Sequence, residues 1–550
     1  MNPSRLCPRR GKTVRSLTVV AGVVVGLSAP ARSAGAQLPD TYVIPRGALR
    51  IAFDPLYTNY NRLFDTDGST FKLGTFYSTD ALGSAFLPTL AESEDAIRSI
   101  TGDTAFRMSA GRFTSRQDGD TRLFPLDFSL GLSSRLTLSV TVPIVTTRVQ
   151  SATAIDSAGA NVGWNQALTG GDSTGGGLTA ITGLFMELDA AAAALEMDIA
   201  AGSFGCPGSA QCDAAGALVD RIRALAANLT RLTGASATGF VNDVARPPFA
   251  PLVNSEAGQA LLAAIAAVDA ELQAFGQVAL TSTLPLPTGI IANGDINTIL
   301  TDPVYGYDAR TLDPEKAAKL SRFGDIEVGL RYAVANGDHV RAVLGARARL
   351  PTGFRDSPDD YLDVGPGDRQ LDLEWTLDAA IEPGTRLGVW LGGSYTLQMS
   401  DRLTRRIAPP TAPIALASSA RLVDRDLGEI LAFSVHPALR LTDQFRVFVS
   451  AYYRKKTADK YTAGGTAIPE LEALTASETW SFGAGMWFRA DRGRRTGSLP
   501  IEAGVLYRSA FSGNGGNTPQ QNSLGMSLRL FYRLWGGPPP PPAPPVDEER

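Results

Sequence analysis

From residue 322 to residue 535 the chain repeats one pattern. Stretches of alternating apolar and polar side chains are separated by links that are by turns short and long. The stretches lie near 322–335, 338–351, 369–382, 385–399, 424–436, 443–455, 478–490, 497–509 and 522–535. Short links fall at ANGD (335–338), EPGT (382–385), HPALRLTD (436–443) and DRGRRTGS (491–498), and long polar ones at 352–368, 400–423, 456–477 and 510–521. A period of two is the mark of an extended strand with unlike faces. Sorting the links by length is the mark of a membrane barrel, with short periplasmic turns at one end and long loops at the other. Further segments near 46–58, 70–78, 104–116, 121–132 and 134–149, with the short link LSS (132–134), precede them. The expectation is an all-β transmembrane fold, an antiparallel outer-membrane β-barrel of about 14 strands. On that count residues 79–103, with the helix-like LAESEDAIRSI, form a long periplasmic link.

RLTLSVTVPIV (135–145) shows what the two faces require. Leu136, Leu138, Val140, Val142 and Ile144 share one face, and Arg135, Thr137, Ser139, Thr141 and Pro143 share the other. In a soluble sandwich the apolar face is the core; in a barrel it meets lipid and the polar face lines the lumen. The sorted links favour the barrel. Trp480, Phe482, Ala484, Met486 and Phe488 share such a face, as do Leu371, Leu373, Trp375, Leu377, Ala379 and Ile381. Tyr57, Tyr77, Tyr332, Tyr395, Tyr453 and Tyr507 near strand ends suit interface girdles. A net charge of -4 leaves no basic footprint for nucleic acid.

The first residues carry Arg5, Arg9, Arg10, Lys12 and Arg15, then the apolar run Leu17–Ala29, then Ala34-Gly35-Ala36. This order predicts a cleaved signal peptide over 1–36, with the mature chain starting at Gln37. Cys7 precedes the apolar run, so it does not form a lipoprotein box. Cleavage leaves Cys206 and Cys212, a close pair in an exported chain, expected as a disulfide. Past Trp535 the chain reads GGPPPPPAPPVDEER, and residues 536–550 are expected to form a proline-rich periplasmic tail.

Alternation stops after residue 150. Helical spacing predicts three amphipathic helices, about 178–200, 214–233 and 256–278, whose stripes can pack together. The chain thus divides into a first barrel part (37–150), a large, mainly α-helical insertion acting as cap or plug (151–321), and a second barrel part (322–535).

Ser523, Gly525, Leu528 and Leu530, in SLGMSLRLFYRLW, resemble the assembly signal that closes many outer-membrane barrels. That resemblance implies the barrel-assembly machinery as a partner, beside outer-membrane lipid and lipopolysaccharide. Residues 324–353, GDIEVGLRYAVANGDHVRAVLGARARLPTG, followed by GPGDRQLDLE (365–374), resemble barrels of the meta-pathway phenol-degradation type, themselves similar to FadL-type porins. The resemblance implies outer-membrane passage of a small-molecule solute of hydrophobic kind, while an anionic solute is the expectation of the inward arginines below. The alternative is a structural or surface-interaction barrel closed by its insertion.

No constellation for catalysis stands out. His339 and His436 are the two histidines, both placed at periplasmic strand ends, away from where a barrel hydrolase keeps its base. No cofactor motif or zinc spacing occurs in a suitable context, so neither an enzyme nor a metal is expected. The acidic loop Asp356, Asp359, Asp360, Asp363 and Asp368 fits no calcium-loop spacing. Lumen-facing basic positions are Arg331, Arg341, Arg347, Arg349, Arg446, Arg454, Arg489, Arg508, Arg529 and Arg533, with Arg50, Lys72, Arg107 and Arg135 also counted. The acids on that face are Asp54, Asp127, Glu327, Asp372, Glu374, Asp378 and Glu502. An excess of arginine predicts a positive lumen; the competing expectation is pairing between neighbouring strands.

Overall fold

The computed structural model describes residues 40–535, apart from 170–175, 243–245, 304–305, 309–317, 361–366, 385, 409–411, 413–414 and 491–500. The expected signal peptide and proline-rich tail lie outside the described residues.

Fourteen hydrogen-bonded segments close into one antiparallel barrel of twelve strands, because two strands are each broken in two. The strands are β1 (Ala48–Phe53 with Leu56–Tyr60), β2 (Arg112–Gly131), β3 (Leu136–Asp156), β4 (Ala318–Phe323 with Glu327–Asn336), β5 (Val340–Arg349) and β6 (Asp372–Ile381). The others are β7 (Leu387–Gln398), β8 (Ile430–Arg440), β9 (Phe445–Lys456), β10 (Ser477–Ala490), β11 (Ile501–Asn514) and β12 (Asn522–Arg533). Each pairs with its sequence neighbours, and β12 closes the ring on β1 with Ala48 opposite Arg533. Pro55, which has no N–H to donate, separates the two halves of β1, yet both halves pair β2 and β12.

The count of about 14 is corrected to twelve at the N-terminal end. Residues 104–116 and 121–132 are not two strands, because Arg112–Gly131 runs unbroken for 20 residues. Residues 70–78 leave the barrel: Thr70–Lys72 joins Arg62–Phe64 and Thr518–Pro519 in a small separate sheet, and Leu73–Tyr77 is a 3-10 turn. Tyr77 therefore belongs to no girdle. The recount moves residues 79–103 from the periplasmic end to the opposite one. The turns after β2, β4, β6 and β8 lie at the end that holds residues 40–47 and the last residues of β12, and the link from β1 to β2 lies at the other.

The outer surface is apolar. Leu377, Phe433, Phe482 and Met526 are each exposed by 50 % or more, far more large apolar surface than a water-soluble domain presents. Trp375 stacks on Tyr395 at 6.1 Å and Tyr453 lies 4.7 Å from Trp480, at the loop end of the belt. Tyr332, Tyr532 and Trp535 mark the turn end. In β3 the polar face is the inner one: Thr137 and Thr141 are buried, while Ile144 is exposed.

β2 and β3, 20 and 21 residues long, are about twice what a tilted membrane strand needs and stand clear of the belt. A helical head packs on their upper ends. It comprises α1 (Ala91–Thr101), α2 (Gly177–Ala200), α3 (Ala210–Thr233), α4 (Glu256–Ala274) and α5 (Asn293–Thr301). Ser209 and Ser255 cap α3 and α4, each hydroxyl accepting from a backbone N–H of the first turn. Ile181, Leu184 and Leu188 of α2 pack with Ile222, Leu229 and Leu232 of α3 and with Leu261 and Leu272 of α4. α4 stops short of the expected end, leaving Val278 exposed. α1 and α5, from either side of the expected insertion, join the same core through Ile97 and Ile299. The sulfur atoms of Cys206 and Cys212 are 2.05 Å apart, bonded across the loop between α2 and α3.

Candidate functional site: the lumen and its N-terminal strap

Inward-facing side chains divide the lumen wall into two sectors. From β12 through β1 to β6 the wall is ionic. Arg347 lies 2.8 Å from both Glu327 and Glu374, and Arg349 lies 2.9 Å from Asp372. Asp127 accepts from Thr141 at 2.8 Å and from Ser129 at 2.6 Å. Where this belt meets the other sector, Glu382 holds Arg341 at 2.9 Å and Arg446 at 3.6 Å. Glu502 stands 3.7 Å from both Arg489 and Arg529. The second sector, on β7 to β11, carries an aromatic patch. Trp390, Phe448, Trp487 and Leu506 form an inward apolar cluster with Ala380 and Ala438. His436, fully buried, meets Phe448 edge to face at 5.9 Å, and neither ring nitrogen has a hydrogen-bond partner among the described residues.

Most of the expected basic residues thus meet acids across the strands instead of building an unbalanced positive field. Arg454 and Arg508 lie in the aromatic sector, with the Arg508 guanidinium 4.4 Å from the Tyr452 ring centre. Arg533 ends β12 exposed at the turn end. Three positions counted as inward are not in the lumen. Lys72 is in the small outer sheet, Arg107 lies against Glu94 in the head, and Arg135 is exposed in the turn between β2 and β3. Each was assigned by parity along strands that the barrel does not contain at those points.

The structure places Ser523 in the wall, 3.2 Å from the Thr58 hydroxyl, with Gly525 beside it and Leu528 exposed outward. Leu530 pairs Ile51 on one side and Ile501 on the other, so these positions lie on the strand that closes the ring. In the acidic loop, Asp356 takes Arg405 at 2.7 Å and Asp359 takes Arg406 at 2.6 Å. Asp363 lies outside the described residues.

Sequence reasoning missed what fills the lumen. Residues 40–47 run as a strap inside the turn end of the barrel. Asp40 is the hub: Arg50 reaches its carboxylate at 2.5 Å, Arg331 binds both that carboxylate and the Asp40 carbonyl, and Arg529 stands 3.7 Å from Oδ1. The Tyr42 ring lies 4.4 Å from the Arg341 guanidinium and 5.1 Å from that of Arg489. Ile44 is buried, and its N–H donates to the Thr137 hydroxyl at 2.8 Å. The strap turns into β1 at Gly47, whose φ of 75° is open to glycine and whose carbonyl accepts from Leu534. Beside Asp40 the lumen keeps a cavity of about 100 Å³, lined by Arg50, Arg331, Arg347 and Arg529 among other residues. The one signal in the sequence was an isolated acid between the signal peptide and the first strand.

Burial pushes the Asp40 carboxyl up, but the charges of Arg331, Arg50 and Arg529 outweigh it and hold the group well below the usual carboxylate range. A depressed carboxyl keeps its contacts above its ordinary value and loses them only as pH falls through the lowered one. The strap is therefore expected to stay seated from neutral pH down to about pH 4. Protease protection of residues 40–47 should be flat over that range; release near pH 5 would contradict it.

At the opposite end the head is tied to two sides of the mouth. Asn293 of α5 accepts from the Ile155 N–H at the top of β3 at 2.7 Å. Arg406, in the link between β7 and β8, donates to the Tyr307 carbonyl at 2.6 Å, and Leu416 of that link packs on the head core. The hairpin of β2 and β3 and the link between β7 and β8 are five strands apart in the ring of twelve, close to opposite one another.

The fold is that of an outer-membrane β-barrel. Solved structures similar to it include an outer membrane channel from Pseudomonas putida F1, at 9 % identity and a TM-score of 0.39, over 90 % of this chain and 98 % of that one. A FadL homologue of Pseudomonas aeruginosa aligns at 10 % identity and a TM-score of 0.24, over 89 % and 90 %. The toluene transporter TbuX of Ralstonia pickettii aligns at 7 % identity and a TM-score of 0.24, over 90 % of each chain. No protein-family model and no curated protein matches the chain. At these identities and scores the likeness decides neither solute nor mechanism, which rest on the lumen itself.

Proposed function

We propose that the protein is an outer-membrane channel for passive uptake of small solutes, closed at rest by its N-terminal strap and covered on the outside by its helical head. The observation that carries this reading is the strap. It is a segment laid into the lumen from outside the wall, tied by side-chain ion pairs and few backbone bonds, so it can leave without breaking the wall. A barrel with only a structural role can fill its lumen with wall side chains and has no use for a removable segment. The head, anchored on opposite sides of the mouth, favours a cap over a plug: the core it buries is its own and that of the protruding hairpin.

A solute leaving the head would meet a lumen polar on one side and aromatic on the other, which suits molecules with both kinds of surface. No residue of the lumen is asked to do chemistry; the wall orients and the strap gates. The closed lumen also fits a structural barrel, and solute flux separates the two. In liposomes, the mature chain should pass small solutes slowly, and removal of residues 37–46 should raise the rate by about tenfold or more, a barrier change of about 1.4 kcal/mol. Deleting residues 160–300, which hold most of the head, should raise it further. An intact barrel that passes nothing in any of the three forms would make the structural role the correct one.

A further inference from the structure

Three guanidinium groups from three strands, Arg50 on β1, Arg331 on β4 and Arg529 on β12, converge on one carboxylate that belongs to the strap and not to the wall. Arg50 and Arg529 are themselves only 6 % exposed. The fit is incomplete: among the described residues, Asp40 Oδ1 is buried and accepts no hydrogen bond, and the Nε atoms of Arg50 and Arg529 also lack partners. Arg529 faces two ways. Its Nη1 is 3.7 Å from that Oδ1, and its guanidinium lies 4.9 Å from the Trp487 ring centre. Trp487 opens onto the apolar cluster of Trp390, Phe448 and Leu506. Two residues beyond Asp40, the Tyr42 ring occupies the gap between Arg341 and Arg489.

We infer that Asp40 and Tyr42 occupy, as an internal stand-in, a binding site for a small carboxylate with an aromatic body. The carboxylate of such a solute takes the place of Asp40 between Arg50, Arg331 and Arg529, and its ring lies toward Trp487. Arginine suits this role because its planar fork can meet both carboxylate oxygens, one of which Asp40 leaves unbonded. The tethered carboxylate competes at a high effective concentration, so the wild-type site is masked. Binding of the solute and release of the strap are then one exchange. This inference names the solute class for the proposed channel, but its test reads binding and does not need flux.

The probe is benzoate, with benzyl alcohol as its uncharged counterpart, titrated calorimetrically into the detergent-solubilised barrel. Asp40→Asn should bind benzoate about tenfold or more tighter than wild type, with benzyl alcohol unchanged. Adding Arg331→Gln to Asp40→Asn should remove the gain. Equal benzoate affinity in wild type and Asp40→Asn, a gain that survives Arg331→Gln, or an equal gain for benzyl alcohol would each overturn the inference. Should Asp40→Asn fail to fold, Thr41→Cys in the otherwise wild-type chain reports on the strap, Cys206 and Cys212 being joined to each other. Benzoate should speed maleimide labelling at position 41, buried in the closed form, and benzyl alcohol should not; identical rates with either compound would overturn the inference. Failure of the channel reading shows differently, as benzoate binding without transport in liposomes.

Discussion

Arg347→Ala is expected to lower the stability of the barrel by about 3 kcal/mol, the order found when one partner of a buried ion pair is removed. The arginine pairs with both Glu327 and Glu374 at 2.8 Å, and Glu327 is also 3.7 Å from Arg349. Both carboxylates are nearly buried. Without it, two anions on adjacent sides of β5 face each other in a lumen that water reaches poorly. Urea unfolding in micelles, read by tryptophan fluorescence, measures the change. Glu374→Gln added to Arg347→Ala should recover a large part of it, because the cost lies in the stranded charge. A double variant as unstable as the single one would place the cost in lost packing of the arginine stem instead.

Leu188→Ala should weaken the head by about 2–5 kcal/mol and leave the barrel untouched. Leu188 is fully buried on α2, in the core that the head helices share, and the hole it leaves lies among side chains held by their own packing. Limited proteolysis should then cut within residues 157–300, while the heat-modifiable migration of the barrel in a detergent gel stays as in wild type. Loss of that migration would mean that the barrel cannot close without its head.

The barrel's second half was legible because its signals agree. From β5 to β12 the period of two, the apolar face and the sorted links all assign the same strands, although β8 begins at Ile430, six residues after its expected start, and runs on to Arg440, which carries His436 from the expected turn end into the wall. The first half was not, because β2 and β3 continue far above the membrane, where alternation persists although lipid no longer requires it. One long strand then reads as two. The helices α2, α3 and α4 were legible from their stripes and α1 as the helix-like LAESEDAIRSI, whereas α5 is too short to show a stripe, and the core that α1 joins was not legible. Parity placed Arg331, Arg341, Arg347 and Arg529 on the inner face. It could not show that Glu382 would serve both Arg341 and Arg446, since that depends on a turn bringing β6 and β9 to one level. Least legible was Asp40, which sits in no periodic segment, and whose three arginines lie 10, 291 and 489 positions away.

The pairing of β12 with β1 sets an order of events in biogenesis. Arg529 is on the last strand to be synthesised, and the carbonyl of Gly47, where the strap begins its course inward, is bonded to Leu534 and Trp535 just beyond that strand. The strap therefore cannot be fully seated until the C-terminal strand has zipped onto the N-terminal one. On the proposed reading of the strap as a gate, sealing the wall and stopping the lumen become a single step.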